Sequence, residues 1–370
     1  MIYRKLGRTG VDIGIIGMGT EYLNGLPPED FLSIVSKAIE YGVNYIDIFF
    51  AHPEFRDKIG AALKGKRDKV IIAGHLGSAA RKDGQYYKTR DPEITEGYYL
   101  DFLKRLDMEY ADIIMLHNVD EEKEYEEVMD SALKIAQKFQ KEGKARFIGM
   151  SAHRPKVATK AIESGIVDVL MYPVNFTTDA MPGRKELLSK CSSNGVGLVA
   201  MKPYAGGKLL QKGSIHLEHY QSGWESMKKD LPNVISPIQC LSYTLSQIGV
   251  CTAIPGVKNI SELDAALHYL EAADEEKDFS SVIKDFAEYT AGECVYCNHC
   301  LPCPSKIDIG QTMRLLDLAQ HAMSDEILAL YEELDTKASD CVECGSCVKR
   351  CPFEVDVIPK MKEAVELFGD

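Results

Sequence analysis

Asp47 stands inside the short apolar run Tyr45-Ile46-Asp47-Ile48. An unpartnered carboxylate there would be costly to desolvate, so the run predicts a site rather than plain core. Of nine histidines, four fall at or just past the ends of apolar runs: His52, His75, His117 and His153. Imidazole, with a reference pKa of about 6.5, moves protons near neutral pH and also ligates metals. Asp47, His52, His75 and His117 are the candidate catalytic residues. Two chemistries suit them. In one, His52 or His75 is general acid and base, while Asp47 and His117 orient it and hold a substrate oxygen. In the other, three imidazoles and a carboxylate enclose an extra divalent metal, zinc or non-haem iron, with one position open.

The second set is made of cysteines. Of eleven, Cys191, Cys240 and Cys251 are scattered and read as small buried apolar residues. The other eight form Cys294-x₂-Cys297-x₂-Cys300-x₂-Cys303-Pro304 and Cys341-x₂-Cys344-x₂-Cys347-x₃-Cys351-Pro352. The start of the chain shows no signal-peptide pattern, which favours metal over disulfides. Two runs, each closed by Cys-Pro, follow the two-cluster ferredoxin pattern. One [4Fe–4S] cluster is expected on Cys294, Cys297, Cys300 and Cys351. The other is expected on Cys341, Cys344, Cys347 and Cys303. The first run departs from the pattern by one residue before its last cysteine.

These residues need elements to position them. At 370 residues the chain is long enough for roughly two domains. An apolar fraction of 45% and a charged fraction of 27% place it among ordinary soluble globular proteins. A net charge of −13 argues against a nucleic-acid partner. No run reaches the ~18 apolar residues of a membrane span, so the expectation is a cytoplasmic protein with no membrane partner. A hairpin is expected over residues 1–12. Strands are expected near Ile13–Thr20, Asn44–Phe49, Val70–Leu76, Ala111–Asn118, Ala145–His153, Val167–Asn175, Gly195–Pro203 and Val250–Val257. Helices are expected between them, at Pro28–Tyr41, Phe55–Leu63, Pro92–Leu106, Glu121–Lys141, Pro155–Ser164, Pro182–Ser193, Pro232–Gln247 and Ile260–Ala272. Eight strand–helix repeats over ~250 residues fit a closed (β/α)₈ TIM barrel. Gly14, Gly17 and Gly19 lack the Gly-x-Gly-x-x-Gly spacing of an open dinucleotide-binding sheet. The expected division is a barrel over 1–272, a linker helix over 273–290 and a small α-helical two-cluster ferredoxin-like domain over 291–370. One helix, Thr312–Leu334, should join the two cysteine runs. Two long loops follow strands on the exit side. Ser78–Asp91 is basic and aromatic, suited to an anionic ligand or to the acidic C-terminal segment. Tyr204–Leu231 holds His216, His219 and Trp224. Both have the length of substrate lids.

Several stretches, in order and spacing, resemble the aldo-keto reductase family. They are Leu6-Gly7-x-Thr9-Gly10, Gly42-Val43-Asn44-Tyr45-Ile46-Asp47, Ile59-Gly60, Asp112–His117, Ile148-Gly149-Met150-Ser151 and Ile254-Pro255-Gly256. The tail is similar to that of the ferredoxin-tailed members. The resemblance implies a (β/α)₈ barrel that reduces carbonyls with NAD(P)H through an Asp, Tyr, Lys, His tetrad. By position the Asp is Asp47 and the His is His117. His52 stands in the tyrosine's place and His75 in the lysine's, so half the tetrad is altered. The same resemblance implies cofactor contacts at Ser151, Asn175, Gly256, Lys258 and Asn259. Met171, Met201, Ala265 and Ala266 depart from the family's usual contacts.

The combination predicts an iron–sulfur oxidoreductase acting on a carbonyl or hydroxyl of a small molecule at the strand-exit rim, with the clusters relaying electrons. A ferredoxin or other electron-transfer protein is the expected partner. A metal-dependent lyase or isomerase on the same rim, and a non-catalytic electron carrier, are the alternatives.

Overall fold

The computed structural model describes residues 1–81, 86–179, 181–219, 225–231, 234–284, 294, 300–321, 323–351 and 355–370. Eight parallel strands lie in the order of the chain: Met18–Gly19, Tyr45–Ile48, Ile71–Leu76, Ala111–Leu116, Ala145–Ser151, Val169–Pro173, Gly197–Met201 and Val250–Ile254. We number these barrel strands one to eight. Strand eight returns to strand one through the bridges Ile16↔Ala253 and Gly19↔Gly256, which closes the cylinder. All eight barrel strands and the starting hairpin are present, but Ile13 and Gly14, expected in strand one, belong to the hairpin, which leaves strand one only Met18–Gly19. In the hairpin, Tyr3–Lys5 pairs with Asp12–Gly14 and plugs the bottom, inserting Leu6 and Ile13 into the barrel interior. Gly7 can only be glycine at this point. Its φ is +50°, and a Cβ would lie 2.4 Å from the Gly195 carbonyl oxygen.

Side chains alternate across each strand. Tyr45, Ala73, Ile113 and Met115 fill the interior, while Ile46, Ile48, Ile72, Ile114 and Leu116 face the surrounding helices. Asp47, His75 and His117 share the inward parity of Tyr45, Ala73 and Met115, but lie at the strand ends. Registers Asp47↔Ala73 and His75↔Met115 bring them to the mouth together. At the opposite end, Asp112 locks the register. Its carboxylate accepts from Arg67 at 2.8 Å, Arg146 at 2.9 Å and the Ile72 amide at 3.0 Å.

Helices surround the sheet with proline near several starts, where a missing amide proton costs nothing. Three expectations are corrected. Glu121–Lys141 is two helices, Glu122–Asp130 and Ala132–Lys141. They break at Ser131, whose hydroxyl donates to the Glu127 carbonyl at 2.7 Å. The helix before strand eight starts at Pro237 rather than Pro232, because Ser236 caps it. The tail segment expected as one helix over Thr312–Leu334 is two, Ile309–His321 and Asp325–Glu332, the second capped by Ser324.

The two long loops are structured. Ser78–Ala80 pairs with Tyr86–Lys88, and Gly213–His219 pairs with Glu225–Leu231. Trp224 and the side chains of His216 and His219 lie outside the described residues. The expected linker over 273–290 contains two short helices, Asp274–Lys277 and Ser280–Lys284; residues 285–290 lie outside the description. The tail helix Ile309–His321 packs on Arg184–Ser193 of the barrel's outer ring. Arg314 donates to the Ser246 and Gln247 carbonyls at 2.6 and 2.9 Å, and Lys185 pairs with Asp317 at 3.0 Å. No helix among the described residues is long and apolar enough to cross a membrane.

Candidate active site

Asp47, His75 and His117 form a line of hydrogen bonds at the strand-exit mouth. Asp47 Oδ1 lies 2.8 Å from His75 Nε2, and His75 Nδ1 lies 2.8 Å from His117 Nδ1. The fourth member is Tyr86, whose hydroxyl is 2.6 Å from His117 Nε2. All three strand-borne residues are buried. A contact between two Nδ1 atoms requires one proton between them, since two bare or two protonated nitrogens would repel. Burial, together with the neighbouring His75 and Arg90, drives the His117 pKa well below its ordinary value, so the ring is neutral. The following set of donors satisfies every contact. Tyr86 O–H donates to His117 Nε2, His117 Nδ1–H donates to His75 Nδ1, and His75 Nε2–H donates to Asp47. Burial also pushes the Tyr86 phenol above its ordinary value, while the nearby Asn118 carboxamide and Arg90 act in the other direction.

His52 is not part of this line. It occupies the N-cap position of the helix Pro53–Leu63, with its carbonyl accepting from the Arg56 amide at 3.1 Å. No hydrogen bond joins its ring to Asp47, His75 or His117. The hydrogen-bonded line thus joins His75 and His117 to Asp47 without His52. Four residues beyond the strand, the inward parity that places His75 and His117 no longer governs the chain.

Tyr86 is delivered by the hairpin after strand three. Gly77, at φ +98°, starts it, and Thr89 N–H donates to the Gly77 carbonyl at 2.9 Å to close it. Arg90 fixes the loop by donating to the His117 and Asn118 carbonyls, both at 2.8 Å. Phe49 lies parallel to the His117 ring at 5.8 Å between centroids and edge-on to Tyr86 at 5.7 Å. A tyrosine pair in the loop after strand three, in a chain lacking the tyrosine five residues past Asp47, was the available sequence signal.

The divalent-metal alternative does not fit. Among the described residues, no three His, Cys, Asp or Glu side chains converge as a single-ion site. At the rim, the ring nitrogens are engaged with each other and with Tyr86.

His153 belongs to a separate group. Its Nδ1 faces Asp120 Oδ2 at 3.1 Å, its backbone N–H donates to Asp120 Oδ1 at 2.6 Å, and its Nε2 lies 3.0 Å from Lys202 Nζ. Burial opposes ionisation of Asp120, yet His153 and Lys88 hold its carboxyl below the usual range.

The five expected cofactor contacts lie along the exits of strands five to eight. Ser151 Oγ accepts from the Asn118 amide at 2.8 Å. The Asn175 carboxamide accepts from Thr177 N and Oγ1 and donates to the Lys202 carbonyl at 2.8 Å. The Tyr22 ring covers Gly256, where an added Cβ would lie 2.4 Å from it. Glu262 accepts from the Lys258 amide at 3.0 Å, with Lys258 Nζ at 3.5 Å, and Asn259 caps Ile260–Leu267 by accepting from the Glu262 amide. Met171 and Met201 pack into the barrel interior. The positions therefore suit a nicotinamide dinucleotide in part. The backbone path is present, but the polar side chains are engaged within the protein, and Glu262 sets a carboxylate near the expected phosphates.

In the tail, Cys300, Cys303, Cys341, Cys344 and Cys347 line one cleft with Ile307, Ile309, Val357 and Met361. A cubane spreads its thiolates over four irons, so its ligands need not approach one another as closely as around one ion. Thiols gathered in one apolar cleft fit such a cluster. Cys294, Cys300 and Cys351 are half-buried; Cys297 lies outside the described residues.

The Aldo/keto reductase family profile matches residues 13–284, and the 4Fe-4S dicluster domain profile matches residues 293–356. The chain is 28% identical over 279 residues to the uncharacterized oxidoreductase YqkF of Bacillus subtilis, covering 70% of this chain and 88% of that protein. It is 25% identical over 309 residues to L-galactose dehydrogenase of Arabidopsis thaliana, covering 77% and 94%. The aldo-keto reductase AKR11C1 from Bacillus halodurans, in its holo form, shares the fold at a TM-score of 0.61 and 22% identity, covering 75% of this chain and 94% of that one. With a closed eight-stranded barrel, Asp47 and His117 at its mouth and a cysteine-lined tail, the chain belongs to the aldo/keto reductase family and is an oxidoreductase carrying a C-terminal 4Fe-4S dicluster domain.

Proposed function

We propose that the chain interconverts a carbonyl and a hydroxyl on a small molecule at the strand-exit rim, with Tyr86 as the group that exchanges a proton with the substrate oxygen. The single observation behind this reading is the unbroken line Tyr86–His117–His75–Asp47, with contacts of 2.6, 2.8 and 2.8 Å. The phenol takes the tyrosine's chemical role from a different place in the chain, and two imidazoles replace the lysine.

The proton path runs in either direction. In alcohol oxidation the substrate hydroxyl gives its proton to Tyr86 Oη. The Tyr86 proton moves to His117 Nε2, the His117 Nδ1 proton moves to His75 Nδ1, and the His75 Nε2 proton reaches Asp47. In carbonyl reduction each transfer reverses, and Asp47 begins protonated. Both rings start and finish neutral, which matches the depressed pKa of His117. When bound, a nicotinamide accepts a hydride in oxidation and supplies one in reduction, and a cubane passes single electrons; Ser151, Asn175, Gly256, Lys258 and Asn259 would hold the former, and the eight cluster cysteines the latter. A ferredoxin-like protein is the proposed partner of the clusters.

Tyr86→Phe tests the reading. It is expected to lower kcat by about 10²–10⁴-fold with little change in KM and full iron content. His52→Ala should leave kcat within about threefold. Unchanged turnover in Tyr86→Phe, or loss of turnover confined to His52→Ala, would overturn the proposal.

A further inference from the structure

We infer that Lys202, held by the Asp120–His153 pair, is an anion-binding residue of the rim, and that the substrate carries a carboxylate or phosphate beside its reacting carbonyl or hydroxyl. The inference deepens the preceding reading, because it gives the substrate class for the same mouth.

Three observations support it. The first is backbone strain at the exit of strand seven. Lys202 holds φ +55°, in the left-handed region that a lysine rarely adopts. Its carbonyl is fixed there by Asn175 Nδ2 at 2.8 Å and by the Ala205 amide at 2.9 Å. Strain that the surroundings maintain is a mark of a positioned side chain.

The second is how the ammonium is held. Asp120 accepts from His153 at both the backbone amide and Nδ1. That fixes the His153 proton on Nδ1 and leaves Nε2 to accept from Lys202 Nζ at 3.0 Å. Among the described residues Lys202 has no carboxylate partner. An ammonium has three donors, and His153 takes one; two remain. The neighbouring cations differ. Lys88 pairs with Glu124, Arg154 pairs with Glu121 at 2.8 Å, and Arg90 is engaged with two carbonyls. Lys202 thus keeps its charge for a ligand, in a chain whose net charge of −13 would otherwise repel anions.

The third is proximity to the proton line. Asp120 lies three residues after His117 on one loop. Besides burial, the Lys88 charge lowers the His117 pKa and the Asp120 charge raises that of Tyr86. The Asn118 amide donates to Ser151 Oγ and the Val119 amide to the Ser151 carbonyl, tying the loops after strands four and five together. An anion on Lys202 would place an adjoining carbonyl toward the side of the mouth that holds Tyr86.

Calorimetric binding to the cluster-loaded protein tests this, using malonate, inorganic phosphate and ADP-ribose as probes. Wild type is expected to bind malonate or phosphate. Lys202→Met should weaken that binding about tenfold, as expected for loss of one charge-assisted contact. Lys202→Arg should largely restore it, and His153→Gln should weaken it by less. Equal binding in Lys202→Met, or no binding of either anion by wild type, would overturn the inference. So would a loss confined to ADP-ribose, which would assign the ammonium to a dinucleotide instead. Tyr86→Phe should bind both anions normally. The anion site therefore stands or falls separately from the proposed proton role.

Discussion

At the scale of single residues, the decisive feature is that His117 is neutral between two partners of opposite function. Its pKa is lowered in the folded state, so the unfolded chain binds more protons than the folded one below about pH 6.5. Stability must therefore rise with pH across that window and level off above it. Below it, this one group costs up to about 1.4 kcal/mol per pH unit until its folded pKa is reached. Urea titrations between pH 5 and 8 are expected to show this slope in wild type and a reduced one in His117→Asn. A His117→Asn chain with the wild-type slope would show that other groups carry the pH dependence. Activity limited by this ring should hold across that window and fall only below the folded pKa of His117, where a charged ring can no longer accept from Tyr86.

At the scale of elements, the barrel supplies position through parity and register, and loops supply what parity cannot. Asp112 is the clearest register lock, since three donors from the regions of strands three and five meet one buried carboxylate. Asp112→Ala would leave Arg67 and Arg146 without their carboxylate and the Ile72 amide without its acceptor. It is expected to destabilise the chain by about 3 kcal/mol in denaturant unfolding, with Tyr86 chemistry affected only through stability. A second element-level expectation concerns the helix Ile260–Leu267. Glu262 neutralises Lys258 and occupies its amide. Glu262→Gln should tighten NADP⁺ binding about fivefold in equilibrium titration, by removing a negative charge from a helix start. Unchanged or weaker binding would place the dinucleotide phosphates elsewhere.

At the scale of the whole molecule, tail and barrel share one apolar cluster that includes Met313, Leu316, Met361 and Cys347 together with the outward faces of the strands. Arg314 ties the tail to the helix end at Ser246–Gln247. Cys341→Ser should cut iron content from about eight to about four per chain. The barrel's far-ultraviolet spectrum should be preserved, because no strand depends on the cleft. Loss of all iron would mean that the two clusters assemble as one unit.

The amino-acid sequence by itself determined the barrel, because eight apolar runs at regular spacing have few other ways to be buried. It determined the cluster ligands as candidates too, since thiolate spacing is local chemistry. It also marked Asp47, His75 and His117, whose parity carries them inward. Tertiary structure alone decided which phenol joins them. Tyr86 lies 39 positions after Asp47 and reaches His117 only because a hairpin folds back over the mouth, a contact that no short-range spacing encodes. His52, five positions after Asp47, caps a helix start where strand parity no longer governs, and it makes no hydrogen bond to the line. Helix breaks at Ser131 and Ser324 escaped periodicity because one serine hydroxyl can end a helix without altering the apolar pattern.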